Sequence, residues 1–301
     1  MISSDNAGGA MRYIHRPVML KEVIHYLQPN RVGLYIDATC GEGGHSEAIL
    51  DSLHQEAFLL CVDRDPEILE VARQRLGSDP RVFFLHASYA DINAFLEERG
   101  ERAMGLLVDL GVSSYHLEHP ERGFSFSSPV LDMRFDRSDG VDCLSFLQRL
   151  SQRRLEEILR EFGEERKARF LASRIYQALR QQRITSAADL SSLVEKVLPR
   201  RGRLHPATRL FQALRIAVNR ELQHLETLLR LLPSLLAAGG RFVAISYHSL
   251  EDRLIKQWIR RYAAERVLKI LTKKVVRASA EEVAVNRRAR SAKLRAAEAL
   301  V

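Results

Sequence analysis

Tyr35-Ile36-Asp37-Ala38-Thr39-Cys40-Gly41-Glu42-Gly43-Gly44-His45-Ser46 is the stretch that decides the fold of this 301-residue chain. The apolar run at 34–36 predicts a buried strand ending in an acid. A glycine cluster follows, and Ser46-Glu47-Ala48-Ile49-Leu50 starts a helix. Glycines at a strand-to-helix turn let a ligand approach the backbone closely, and the helix N-terminus presents free N–H groups. Asp63 closes the next apolar run, at 58–62, and lies 19 residues beyond Gly44. That is near the roughly 20-residue spacing at which an acid reaches the ribose hydroxyls of an adenosine cofactor.

Working outward, apolar runs recur near Ile36, Leu60, Phe84 and Leu107, with gaps of 24, 24 and 23 residues. Each gap suits a strand, a helix and two short loops. The segments between them, 46–53, 66–76 with Pro66 at its start, and 90–99, predict helices. Strands alternating with helices at this pitch imply a parallel, doubly wound α/β sheet. The next strand-like run, 240–246, begins 130 residues after Leu110. No single crossover is that long, so an insertion sits there. Its apolar stripes at Leu155, Ile158, Leu159 and Phe162, then at Phe170, Leu171, Ile175 and Leu179, predict helices. A third stripe, Leu190, Leu193, Val194 and Val197, is stopped by Pro199. A helix ending near Leu236 leads back to the sheet, 252–262 is expected to be helical, and the basic C-terminal third supplies the last strands. The implied organisation is a flexible tail over 1–12, a sheet domain over 13–114 and 217–301, and a small helical domain over 115–216.

A dinucleotide fingerprint places a third glycine where this chain has Ser46. S-adenosylmethionine carries no phosphate, so its loop need only admit the amino-acid tail and leave the acid for the ribose. Hydrophobic residues make up 46% of the chain and charged ones 28%, the balance of an ordinary water-soluble domain. No run approaches the ~20 apolar residues that span a bilayer, and the N-terminal segment has no signal-peptide core. Cys40, Cys61 and Cys143 are odd in number and widely spaced, fitting neither a disulfide framework nor a zinc site. A cytoplasmic protein without membrane or metal is the expectation. The net charge of +8 is unevenly placed. Residues 199–220 hold six arginines and no acid, and 266–295 hold ten Lys or Arg against Glu281 and Glu282. Two acid-poor basic clusters point to a polyanion, most simply nucleic acid.

In open α/β sheets, ligands bind at the carboxyl ends of the strands. The candidates there are Asp37 with the glycine loop, Asp63, Ser88-Tyr89, Asp109-Leu110-Gly111-Val112-Ser113-Ser114 and Ser246-Tyr247-His248-Ser249. The insertion adds two polar loops, Glu121-Arg122-Gly123-Phe124-Ser125-Phe126 with Leu131-Asp132-Met133-Arg134, and His205-Pro206-Ala207-Thr208-Arg209.

These stretches, in this order, carry a resemblance. With His15-Arg16-Pro17-Val18, Phe162-Gly163-Glu164-Glu165-Arg166, Phe211-Gln212-Ala213-Leu214-Arg215-Ile216 and Ala289-Arg290-Ser291-Ala292-Lys293-Leu294-Arg295, the chain from about Tyr13 onward resembles the bacterial ribosomal RNA small subunit methyltransferase H family, also called MraW. The resemblance implies a Rossmann-like class I methyltransferase sheet and S-adenosyl-L-methionine as cofactor. The implied substrate is a cytidine in the decoding region of 16S rRNA, methylated on N4, within the assembling or assembled 30S subunit. Carried over by position, the family's cofactor contacts fall on Gly41, Gly43, Gly44, His45, Asp63, Tyr89 and Asp109. A contact that is usually a glutamine falls on His116, after Tyr115 where a proline is common. Tyr89 stands for a frequent phenylalanine, and Arg287 for a frequent proline. Asp109, Ser113 and Ser114 are the expected catalytic group. Asp132, Arg134, Arg200, Arg201, Arg203, His205, Arg209 and His248 are expected on the substrate side.

Chemistry agrees with that implication. A cytosine amino nitrogen is a poor nucleophile, so catalysis consists of placing it in line with the methyl group and accepting its N–H hydrogen bonds. Methylation at ring C5 would want a cysteine nucleophile, and none of the three is well placed. Two other readings share features of the chain. An NAD-dependent dehydrogenase shares the sheet and the acid but not the glycine pattern. A non-catalytic RNA-binding assembly factor shares the basic clusters but has no use for Asp63 with the glycine loop.

Overall fold

A computed structural model describes residues 17–198 and 205–301. The expected tail at 1–12, His15, Arg16, Pro199 and the candidates Arg200, Arg201 and Arg203 lie outside the described residues.

The four evenly spaced apolar runs form β1 (Leu34–Asp37), β2 (Phe58–Asp63), β3 (Val82–His86) and β4 (Ala103–Asp109). They are joined in sheet order by β5 (Leu236–Ser246), β6 (Leu268–Ile270) and β7 (Lys293–Ala299), giving one seven-stranded sheet ordered β3-β2-β1-β4-β5-β7-β6. β1 to β5 pair in parallel, whereas β7 runs antiparallel to both β5 and β6. Parallel strands are covered on both faces, which is why these runs are continuously apolar rather than alternating. The strand order reverses between β1 and β4, and that is where a doubly wound sheet opens its crevice.

One face is covered by α1 (Leu20–Leu27), α2 (Gly44–Asp51) and α3 (Pro66–Leu76), through Val23, Leu27, Ile49, Ala72 and Leu76. Asp65 starts α3 by accepting from the N–H groups of Glu67 and Ile68, with Pro66 at the first helical position. The other face carries α4 (Ile92–Arg99) and two helices that follow the insertion. The insertion begins with α5 (Ser114–Glu118) and continues through α6 (Cys143–Arg149), α7 (Gln152–Glu161), α8 (Ala168–Arg180), α9 (Ala187–Val197) and α10 (Thr208–Asn219). It has its own buried cluster, drawn from Phe124 to Leu214. α11 (Glu221–Leu235) and α12 (Ser249–Ala264) return the chain to the sheet, burying Leu225, Leu228, Leu232, Ile255 and Ile259. α13 (Ala280–Val285) precedes β7. Among the described residues, no helix is long and apolar enough to cross a membrane.

Three details differ from the sequence reading. β5 starts at Leu236, directly after α11, instead of at Gly240. α2 starts at Gly44, capped by Gly43 in the left-handed region. α1, α6 and α10 were not foreseen, because their apolar faces are short and complement surfaces that only the folded chain supplies.

The insertion is fastened to the sheet domain by Arg122, whose side chain is wholly buried. Its Nη2 donates to Asp65 Oδ2 at 2.7 Å and to the Phe135 carbonyl at 2.8 Å, while Nη1 donates to Glu67 Oε2 at 3.2 Å. Asn219 ties the end of α10 to the same loop, donating to the Met133 carbonyl at 2.7 Å and accepting from the Phe135 N–H at 2.9 Å, and its own carbonyl accepts from Arg64 Nη1 at 2.8 Å, a second fastening to the sheet domain. Gly123 permits the turn beside Arg122: its φ is +76°, and a Cβ there would lie 2.4 Å from the Asp132 nitrogen.

Candidate active site

At the carboxyl ends of β1, β2 and β4 the three strand-closing acids take different parts. Asp37 is fully buried and faces inward, accepting from Ser46 Oγ at 2.7 Å and from the Thr39 N–H at 3.3 Å. It braces the glycine loop and does not line the crevice. Asp63 does line it, and also ties down the loop by accepting from the Gly41 N–H at 2.8 Å and the Asp65 N–H at 2.9 Å. A carboxylate has about four lone-pair directions, so Asp63 keeps acceptor capacity toward the crevice. Asp109 lines the same crevice. Its Oδ1 accepts from Tyr247 Oη at 2.8 Å, its Oδ2 lies 3.6 Å from His45 Nδ1, and its N–H donates to Thr39 Oγ1 at 2.6 Å. Burial pushes both carboxyls up to about 6, against the pull of backbone N–H groups at Asp63 and of His45 and Tyr247 at Asp109.

The crevice has a volume of about 340 Å³. Of the expected residues, Gly41, Gly44, His45, Asp63, Tyr89, Asp109, Ser113 and His116 line it. His45 Nε2 donates to the Val18 carbonyl at 2.9 Å, which aims Nδ1 at Asp109. His116 has both ring nitrogens engaged. Nε2 lies 2.9 Å from Asp65 Oδ2, and Nδ1 accepts from the Ser113 N–H at 3.2 Å. A carboxylate can only accept, so Nε2 carries the hydrogen. Burial pushes His116 down to about 4, outweighing the pull of Asp65, and the ring is neutral at pH 7.

The remaining candidates sit elsewhere. A Cβ on Gly43 would meet Ala72 and Leu76 of α3, so this glycine serves packing behind the loop. Ser114 is the first residue of α5. Asp132 and Arg134 pair with each other at 2.8 and 3.0 Å. His205 pairs with Glu195 at 2.8 Å and stacks on Phe126, and Arg209 donates to the Glu164 carbonyl at 3.2 Å. His248 caps α12 through Glu251, the pattern in which residue N3 answers the cap.

Tyr247 was named only within the candidate stretch 246–249, with no role assigned to it, and Glu251, Arg215 and Glu221 were not singled out, although all four line the crevice. Tyr247 directly follows β5 and faces the crevice, whereas the preferred His248 falls at the helix cap. The three-residue spacing of His248 and Glu251 was the available signal for that. Arg215 lies in the Phe211–Ile216 stretch of the family resemblance, but nothing local shows that α10 returns to the sheet edge.

A fit to S-adenosylmethionine can be judged from these groups. Two half-buried carboxyls flank the glycine loop, and loss of solvent raises each of them. That environment repels a pyrophosphate and favours a ligand carrying a sulfonium and an ammonium. Asp63 offers acceptors for a ribose diol, and Tyr89 an aromatic wall.

The family model described as the MraW methylase family matches residues 12–300. The chain is 43% identical over 289 residues to the ribosomal RNA small subunit methyltransferase H of Dictyoglomus thermophilum, covering 95% of this chain and 96% of that protein. It is 45% identical over 307 residues to the protein of the same name from Trichlorobacter lovleyi, covering 95% and 98%. Among solved structures it is similar to an rRNA methylase from Streptococcus thermophilus, at 11% identity and a TM-score of 0.42, over 94% of each chain.

Proposed function

The chain belongs to the MraW methylase family, and on that premise we propose that it methylates the exocyclic N4 of a cytidine in the decoding region of small-subunit rRNA, with S-adenosylmethionine as donor. The observation that carries this reading is the Asp109–Tyr247 pair, 2.8 Å apart, opening into the crevice beside the glycine loop. When bound, S-adenosylmethionine supplies an electrophilic methyl group. The chain's own residues do the rest. Gly41, Gly44 and His45 receive the amino-acid tail, Asp63 holds the ribose hydroxyls, and Tyr89 covers the adenine. Tyr247 donates to Asp109 Oδ1 and fixes the carboxyl in place, leaving Oδ2, beside His45, to accept from the amino group. A carboxyl near 6 can take the amino proton close to neutral pH, where a general base is most effective. The target base must leave its stack to enter the crevice, which is easiest in irregular RNA. The basic clusters supply the phosphate contacts.

The test is methyl transfer from labelled S-adenosylmethionine to 30S subunits and to free 16S rRNA from cells lacking the enzyme, followed by nucleoside mass mapping. N4-methylcytidine in the decoding region supports the reading. Label in another nucleoside, or none, overturns it.

A further inference from the structure

We propose that Arg215 and Glu221 together read the pairing edge of the target cytosine and exclude uracil, an inference that rests on the reaction proposed above. Arg215 lies on α10 and Glu221 opens α11, across a turn at Arg220 with φ of 51°. Both line the crevice. Arg215 Nε donates to Glu221 Oε1 at 2.9 Å, a side-on pairing that uses only one of the guanidinium nitrogens. Among the described residues, the two Nη atoms and Glu221 Oε2 make no hydrogen bond. Yet the side chains are only 15% and 9% exposed. These three atoms stay open to the crevice, where a ligand can take the place of water on them.

The position favours the substrate. A Cβ built on Gly111, two residues past Asp109, would lie 3.4 Å from the Tyr247 ring and 3.8 Å from Arg215 Nη1. Arg215 therefore stands beside Asp109 and Tyr247, and Glu221 bridges from it to Tyr89, whose Oη donates to the Glu221 carbonyl at 3.3 Å. The neighbouring acid Glu251 is already committed: Oε2 accepts from the Tyr247 N–H at 2.9 Å, and Oε1 lies 3.0 Å from His248 Nε2. Glu221 is left as the acceptor with a free oxygen.

The pattern offered is two donors beside one acceptor. Cytosine answers with two acceptors, O2 and N3, beside a donor, the N4 amino group. Uracil presents a donor at N3 and an acceptor at O4, opposed to the pair at two of three positions. Adenine shares the amino group beside a ring nitrogen, so the experiment has to separate the target base from the adenine of the cofactor.

The experiment compares wild type with Glu221→Gln, which keeps an oxygen for Arg215 Nε and turns the free acceptor into a donor. Affinities are measured for reconstituted 30S subunits carrying cytidine or uridine at the methylated position, and for S-adenosylmethionine by calorimetry. Wild type is expected to favour the cytidine subunit by about tenfold or more, and the variant to narrow that ratio to about twofold with cofactor affinity unchanged. Arg215→Lys, which keeps the charge but loses the fork, is expected to narrow the ratio as well. An unchanged ratio in variants that still bind cofactor overturns the proposal, since a purely structural ion pair would weaken both RNAs alike. Loss of cofactor affinity without a change of ratio also overturns it, assigning the pair to the cofactor's adenine. A wild-type protein that methylates neither subunit overturns the reaction itself, and this inference with it.

Discussion

Asp63 and Asp109 close the two strands that flank β1, and their burial sets up two measurable consequences. The first concerns binding. Hydrogen bonds to a charged group are worth roughly 1.5–3 kcal/mol, so Asp63→Ala should weaken S-adenosylmethionine about tenfold or more, as calorimetry would read. Unchanged affinity in a folded variant would remove Asp63 from the ribose site. The second concerns pH. Both folded-state values, about 6, lie above the roughly 3.9 of an unfolded aspartate. Each group therefore binds its proton more tightly in the folded chain, and its contribution to stability is present below pH ~4 and lost as pH rises through 6. At pH 8 each ionised carboxylate costs the cofactor-free fold about 3 kcal/mol. Asp109→Asn should accordingly raise the Tm of the cofactor-free protein at pH 8 and flatten its dependence on pH between 4 and 7. The same variant should lose methyl transfer. A Tm that falls at pH 8 would contradict this account. Asp63 and Asp109 were legible as candidates from their place after apolar runs. Asp37 has the same local signature, and only the fold shows it turned inward to Ser46.

At the scale of elements, the joint between sheet and insertion depends on one charged cluster. Arg122 meets Asp65 and Glu67 from the start of α3 and two carbonyls of the 134–135 segment. Removing one partner of a buried pair leaves the other charge uncompensated, so Arg122→Met should destabilise the protein by about 3–5 kcal/mol. Denaturant unfolding would measure it, and a loss near that of an exposed ion pair, about 0–1 kcal/mol, would show the joint to be carried by apolar contacts instead. The strands β1 to β4 were readable because a parallel strand needs an unbroken apolar run and its crossover helix imposes an even beat. α1 and α10 were not, since a helix of about two or three turns takes most of its stability from the surface it packs on. Arg122 was visible only as part of a polar loop. Its burial needs Asp65, 57 residues away in sequence, to arrive at the same place.

At the scale of the whole molecule, a net charge of +8 with two acid-poor clusters predicts salt-sensitive RNA binding. Removing one arginine–phosphate interaction should flatten the slope of log affinity against log salt by about 0.7–0.9. Replacing Arg200, Arg201 and Arg203 with alanine should thus reduce the slope and leave S-adenosylmethionine affinity alone, as filter binding over a salt series would read. An unchanged slope would leave the C-terminal basic segment as the part that meets RNA. What the sequence by itself determined here is whatever depends on neighbours along the chain: the apolar runs and their pitch, the glycine loop, the acids that end strands, the charge clusters, and the ordered stretches that carry the family resemblance. What only the tertiary structure decided is whatever depends on convergence. β7 inserts antiparallel between β5 and β6, Tyr247 rather than His248 faces Asp109, and Arg215 and Glu221 arrive beside them. The physical reason is that a side chain's local pattern sets its element and the face it takes, while its partners are set by which surfaces the long crossover brings back to the sheet edge.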